Sequence, residues 1–161
     1  MILSKNAAAK KLRRMAIEIV ERNETMQPII IIGIKENGMV IAEEISKQLK
    51  SVFTGVVQTI SLAIDKKNPK EITLSDNISL KDKLILLVDD VANSGRTMLY
   101  ALAPLLAHNP SQIETLALVE RTHKLFPVAL NYVGLSVSTN ADEHIEVIVE
   151  NGKIMGAKIK S

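Results

Sequence analysis

Three features of the chain predict an α/β fold with a mainly parallel central sheet flanked by helices. Residues 28–34 and 84–88 are continuous β-branched or aliphatic runs of strand length, which suit strands buried on both faces. After each run a short polar loop leads into apolar residues at helical spacing, so each pair makes half of a βαβ unit. Residues 144–159 alternate Ile145, Val147 and Val149 with polar neighbours, turn at Asn151-Gly152 and return, which predicts a C-terminal antiparallel hairpin. In folds of this class the ligand site lies at the carboxyl ends of the strands, which directs attention to the loops after Ile34 and Val88.

In chain order, residues 4–23 place Leu12, Met15, Ala16, Ile19 and Val20 on one helical face. Lys5, Lys10, Lys11, Arg13 and Arg14 make the first half of this helix basic, and a solvated face is favoured over a nucleic-acid contact. Strand 28–34 ends in Lys35-Glu36-Asn37-Gly38, and Ile41, Ala42, Ile45 and Leu49 then follow a helix. Residues 55–64 alternate as a second strand. Residues 65–83 are polar, contain Pro69, and carry only the short apolar Ile72-Thr73-Leu74; a polar excursion of this length reads as a flexible flap. Strand 84–88 leads through DDVANSGRT into a helix bearing Met98, Leu99, Leu102, Leu105 and Leu106, in which Pro104 is expected to cause a kink or break. Residues 113–120 and 131–137 supply further strands, and there is no internal repeat.

Composition narrows the function. A chain of 161 residues suits one domain spanning 1–161. At that size folding buries about 70% of the chain's surface, enough for a core without staples. The absence of cysteine excludes disulfides, thiolate metal sites and cysteine nucleophiles. Four aromatics (Phe53, Tyr100, Phe126, Tyr132) are too few for a base-stacking platform. A net charge of +2 gives no global pull toward nucleic acid or membrane. No apolar run approaches membrane-spanning length, and polar residues follow Met1-Ile2-Leu3 at once; the expectation is a soluble cytoplasmic protein without a membrane partner. His108, His123 and His144 are scattered and assemble no metal-ligand cluster.

The chemistry concentrates in residues 87–97. Asp89 and Asp90 end a buried strand, where adjacent carboxylates repel and call for vicinal hydroxyls or a cation to offset them. Asn93-Ser94-Gly95-Arg96-Thr97 then supplies hydroxyls, a glycine and a helix N-terminus, the parts of a phosphate cradle. Carboxylates suited to a diol beside such a cradle describe a ribose 5-phosphate site. A nucleotide P-loop fails, because Met39-Val40 follow Gly33 and Gly38 where Lys-Ser/Thr is required. A dinucleotide fingerprint is missing, and a phospho-receiver site would place its acidic pair early in the chain. Ordinary helix capping by Asn93 or Ser94 leaves the acidic pair unexplained.

The segment LILLVDDVANSGRT resembles the phosphoribosyl pyrophosphate (PRPP) signature of the type I phosphoribosyltransferases. GIKENG, residues 33–38, is similar to that family's pyrophosphate loop, and residues 65–83 sit where its flap belongs. Residues 118–134, LVERTHKLFPVALNYVG, look most like the pyrimidine-operon attenuation subfamily, whose members are also uracil phosphoribosyltransferases. The resemblance implies that Asp89 and Asp90 hold the ribose hydroxyls and stabilise charge building on the ring. It implies that Asn93, Ser94, Gly95, Arg96 and Thr97 bind the 5-phosphate and that Lys35, Glu36, Asn37 and Gly38 bind pyrophosphate. Arg121, Tyr132 and Val133 would belong to the base pocket, although Arg121 could equally pair with Glu120 or Glu36. Mg²⁺ would be carried mainly by PRPP and pyrophosphate rather than by a protein metal site. The flap would close to exclude water. The implied partners are PRPP and a nucleobase or nucleoside monophosphate, with a homodimer or higher homo-oligomer as the assembly and RNA as a possible ligand of a regulatory relative.

The sequence departs from the pattern at named places. Asn37 stands where the attenuation proteins carry an arginine, although Lys35 remains. The flap strand reads Leu62-Ala63-Ile64-Asp65 rather than an arginine followed by acids, leaving Lys66, Lys67 and Lys70 as mobile cations or as solvated residues. Asn93 occupies the place of an aspartate in hypoxanthine-type enzymes, and an amide cannot act as a base. Three functions follow from these residues: a transferase acting on uracil or another pyrimidine, a nucleotide-sensing RNA-contacting regulator, and a scaffold with a degenerate site.

Overall fold

A computed structural model describes residues 1–65, 67–69 and 71–161. Strands and helices alternate as β1 (Leu3–Ser4), α1 (Lys5–Arg22), β2 (Ile29–Ile34), α2 (Asn37–Val52), β3 (Val57–Ile64), β4 (Ile72–Leu74), β5 (Leu84–Ala92), α3 (Arg96–Leu106), β6 (Gln112–Arg121), β7 (Tyr132–Val137), β8 (His144–Glu150) and β9 (Lys153–Lys160). A six-stranded sheet runs in the order β4-β3-β2-β5-β6-β7, parallel throughout except for the edge strand β4. The terminal hairpin β8–β9 captures β1 to form a separate antiparallel sheet, β1-β9-β8. Lys66 and Lys70, expected as flap cations, lie outside the described residues.

Strand order decides where a ligand can sit. From β2 the chain moves outward to β3, and after β5 it moves the other way to β6 and β7. The sheet therefore reverses between β2 and β5, and the loops leaving their carboxyl ends part there to open a crevice.

The apolar pattern follows from this layering. β2 is buried along its whole length, as its unbroken isoleucine run requires. Leu84, Leu86 and Val88 of β5 face a core shared with α1 and α2, whereas Ile85 and Leu87 face a second core shared with α3. Ser4 caps α1 by accepting the Ala7 amide, and Leu12, Met15, Ala16 and Ile19 are buried as their spacing predicts.

Three expectations change in detail. β5 continues four residues past Val88, so Asp89 and Asp90 lie within the strand, with Asp89 in register with Ala117. Pro104 does not break α3; it sits in the last turn, after which Ala107, His108 and Asn109 bond three residues back. The excursion after β3 is anchored at its far end: Ile72–Leu74 pairs with β3, and Leu80 is fully buried against the α3-side core.

Tyr132 illustrates the cost of polar groups in this core. Its ring is fully buried, its hydroxyl donates to Glu114 at 2.8 Å, and the Arg22 guanidinium lies 4.8 Å from the ring centroid. Burial, reinforced by the Glu114 carboxylate, pushes the phenol upward and keeps it a donor. Tyr132→Phe leaves the Glu114 oxygen without this donor and is expected to lower stability by about 1–3 kcal/mol in urea unfolding.

Candidate active site

At the reversal between β2 and β5 lies a cleft of about 720 Å³. Its walls are Lys35–Asn37 with the end of β3 on one side and His144–Val147 of β8 on the other; its floor is Asp89–Val91 with Asn93 and Thr97. A smaller pocket of about 110 Å³, formed by Asp89 and residues 91–98, adjoins it. Thus the acidic pair, the loop after β2 and the loop after β5 converge, as their positions in the sequence require.

The two carboxylates line the same cleft. Asp89 is 9% exposed and reaches both pockets; one of its oxygens accepts the Asp90 amide at 2.9 Å. Burial, with the Asp90 charge beside it, holds the Asp89 carboxyl well above the usual carboxylate range. Asp90 is half-buried, accepting the Val91 amide with Oδ1 and the Asn37 side-chain amide with Oδ2 at 3.2 Å. No cation side chain pairs with either acid among the described residues. Among the described residues there is also no group of three or more acidic or histidine side chains able to hold a metal.

Both helices that start at the cleft lack a side-chain cap. α2 begins after Glu36, whose side chain makes no capping bond, and α3 begins after Gly95 in the same condition. The positive ends of their dipoles, and the first-turn amides other than that of Arg96, are left for a ligand. Gly95 has φ +84°, a left-handed conformation that glycine adopts without strain and that turns the chain from β5 into α3. Ser94 Oγ accepts the Arg96 amide, and the Ser94 carbonyl accepts the amides of Leu125 and Phe126, both at 3.0 Å, so the loop is fixed from behind. The Lys35–Glu36 peptide is cis. Gly38 packs flat on β5: a Cβ there would lie 2.9 Å from the Val88 carbonyl oxygen and 3.0 Å from Asp89 Oδ1.

Several predicted side chains have other duties. Lys35 and Glu36 are exposed at the rim, as expected of a loop that meets substrate. Arg96 points outward, with its guanidinium 5.5 Å from the Tyr100 ring centroid, so only its backbone faces the phosphate loop. The Asn93 side-chain amide is bonded to the backbone of Ile145. Arg121 donates to the carbonyls of Asn140 and Glu143, not to Glu120 or Glu36, and holds the turn that leads into β8. Tyr132 is sealed beneath α1, so it is not brought to the cleft, and the Val133 carbonyl is taken by Arg14 at 3.0 Å. The cleft's second wall is instead β8, including His144 and Glu146, which the sequence reading did not assign. The Asn151-Gly152 turn reveals the hairpin, but nothing local reveals where the hairpin docks.

Residues 1–150 match the phosphoribosyl transferase domain family. The chain belongs to this family, which places it among the glycosyltransferases, and its resemblance is to the type I members. Within the family it is PyrR-like. It is 30% identical over 161 residues to the bifunctional protein PyrR of Fusobacterium nucleatum, covering 93% of this chain and 90% of the relative. It is 32% identical to the bifunctional protein PyrR of Pediococcus pentosaceus, covering 92% and 90%. The fold is shared with the hypoxanthine-guanine phosphoribosyltransferase of Bacillus anthracis, with a TM-score of 0.73 at 18% identity over 90% of this chain and 84% of that one. A solved asparagine mutant from an analysis of an invariant aspartic acid in HPRTs superposes with a TM-score of 0.81 at 12% identity, covering 98% and 92%.

Two outcomes follow from this geometry. The folded protein holds the Asp89 proton more tightly than the unfolded chain, so this group favours folding most below the ordinary carboxylate range. That contribution is lost as pH rises through the raised value. Asp89→Asn is therefore expected to raise the Tm at about pH 7.5, with the gain shrinking toward about pH 4 in calorimetry. Gly38→Ala is expected to cost about 1–3 kcal/mol in urea unfolding, since its methyl meets backbone that cannot step aside.

Proposed function

We propose that the protein transfers the ribose 5-phosphate of PRPP to a pyrimidine base, uracil foremost, with release of pyrophosphate. The observation that carries this reading is the convergence of two carboxylates and two uncapped helix N-termini on one cleft. The choice of uracil rests on the resemblance of residues 118–134 to the pyrimidine-operon attenuation subfamily.

In this reading the amides and hydroxyls of Ser94–Thr97 bind the 5-phosphate, and Lys35 with the N-terminal amides of α2 binds the pyrophosphate. Asp89 and Asp90 accept hydrogen bonds from the vicinal ribose hydroxyls and stabilise positive charge on the ring as the bond from C1 to pyrophosphate oxygen lengthens. The nucleobase nitrogen bonds to C1 as the bond from C1 to pyrophosphate oxygen breaks, and the N–H proton of the base passes to the departing pyrophosphate or to water. The donor set fits Mg²⁺, since one or two carboxylates with no third protein ligand suit an ion that keeps substrate oxygens and water. Such an ion supplies charge neutralisation on the departing pyrophosphate. Residues 71–77, tethered to β3 through Ile72–Leu74, stand beside the β3 wall and serve as the water-excluding flap.

A regulatory reading has some support in α1, where Lys10 and Arg13 are exposed. The basic face is smaller than the sequence suggests, because Arg14 is committed to Glu18 and to the carbonyls of Val133 and Gly134. Pyrophosphate release from PRPP and Mg²⁺ across a panel of free bases separates the two. Turnover is expected with uracil, reduced at least about 100-fold in Asp90→Asn, and unchanged on removing the charges of Lys10, Lys11 and Arg13. No turnover with any base, together with retained nucleotide binding, would overturn the enzyme reading in favour of the regulator.

A further inference from the structure

We propose that Asn93 is the positioning residue of the base subsite, acting through strand β8. The proposal deepens the transferase reading and rests on it. With the sugar phosphate on residues 94–97 and pyrophosphate on residues 35–38, the cleft wall left for the base is β8. That strand belongs to the separate β1-β9-β8 sheet, so its distance from the floor is not set by pairing within the central sheet.

The side chain of Asn93 sets it. Its Nδ2 donates to the Ile145 carbonyl at 3.0 Å, and its Oδ1 accepts the Ile145 amide at 3.0 Å. One side chain thereby meets both backbone groups of one residue, as a neighbouring strand would. This two-point contact needs a donor and an acceptor on one planar group, which restricts it to an amide. Asparagine makes it at short reach; glutamine, one methylene longer, would hold β8 farther off. The Ile145 side chain is buried in the α1–α2 core, so a shift of β8 is resisted from behind and transmitted along the strand to Glu146 and Val147 at the cleft. Asn37 adds only a long contact, 3.5 Å, to the Val147 carbonyl.

The clasp also bounds the slot. With the amide closed on Ile145 there is no room for a ring between Asn93 and β8, so the base is confined to the part of the cleft beyond it.

Calorimetric titration with ribose 5-phosphate, uridine 5′-monophosphate and inosine 5′-monophosphate tests this in the wild type, Asn93→Leu and Asn93→Asp. Loss of two neutral hydrogen bonds in Asn93→Leu is expected to weaken the uridine and inosine nucleotides about tenfold. Ribose 5-phosphate should change by less than about twofold. Asn93→Asp, which keeps the acceptor and loses the donor, should fall between, and it carries the comparison if Asn93→Leu does not fold. Equal losses for all three ligands would overturn the proposal, because they would make Asn93 a phosphate or purely structural residue. Binding of ribose 5-phosphate with no added affinity from a base would also overturn it while leaving the phosphoribosyl site intact. Failure of the wild type to bind ribose 5-phosphate would defeat the site reading itself.

Discussion

A carboxylate buried at a strand end is the constraint around which the rest of this molecule is arranged. Asp89 has neither full hydration nor, among the described residues, a cation partner, and it stands next to a second acid on the same strand. Burial and the neighbouring charge both disfavour its charged form, a cost that an apolar residue at this position would not carry. The surrounding architecture holds it in place by backbone alone. β5 is locked between β2 and β6 in register, the Asp90 amide donates to Asp89, and Gly38 lets α2 approach until only a hydrogen atom separates it from the strand. The acidic pair is kept short of counter-charge, so a ligand with hydroxyls or a metal is the partner that satisfies it. The helix N-termini complete the complement, since they are short of anions at the same place.

The same arrangement explains which parts of the protein could be read from its sequence. Strands buried on both faces announce themselves as unbroken aliphatic runs, and 29–34 and 84–88 do so. The acidic pair and phosphate loop are contiguous in the chain, so their chemistry was legible as a motif. Tyr132 enters the base pocket only through the resemblance; its partners, Glu114 and Arg22, lie 18 and 110 residues away and cannot be inferred locally. Arg121 was misread for a related reason. Its partners are carbonyls at Asn140 and Glu143, and carbonyls leave no mark on a sequence.

The β8 wall was invisible for a deeper reason. Hairpins are specified by turn chemistry and alternation, both local, whereas docking of a hairpin on another sheet is specified by a few long-range contacts. Here those contacts include the amides of Asn37 and Asn93 on the backbone of β8, beside the buried side chains of Ile145 and Val147. Both amides look like losses when each residue is assigned a ligand. They look different once their partners are known, because each amide faces a backbone carbonyl of β8 across the cleft.

The exchange of a cation for an amide at position 37 also changes what the cleft can attract. An arginine there would neutralise Asp90; Asn37 donates to it and leaves its charge in place. Among the described residues, Lys35 is the lysine or arginine side chain lining the main cleft, against Asp89, Asp90, Glu36 and Glu146, of which Glu146 is occupied by Lys158 and Lys160. Each helix N-terminus contributes a positive end of about half an elementary charge. Those ends sit at the loops, while the acids sit at the floor. On the proposed reading a bare polyphosphate meets repulsion from the floor, whereas one carrying a divalent cation brings the charge the acids lack. The amide thus shifts the cleft's preference toward the metal-bound form of its substrate, and it does so without adding a metal ligand to the protein.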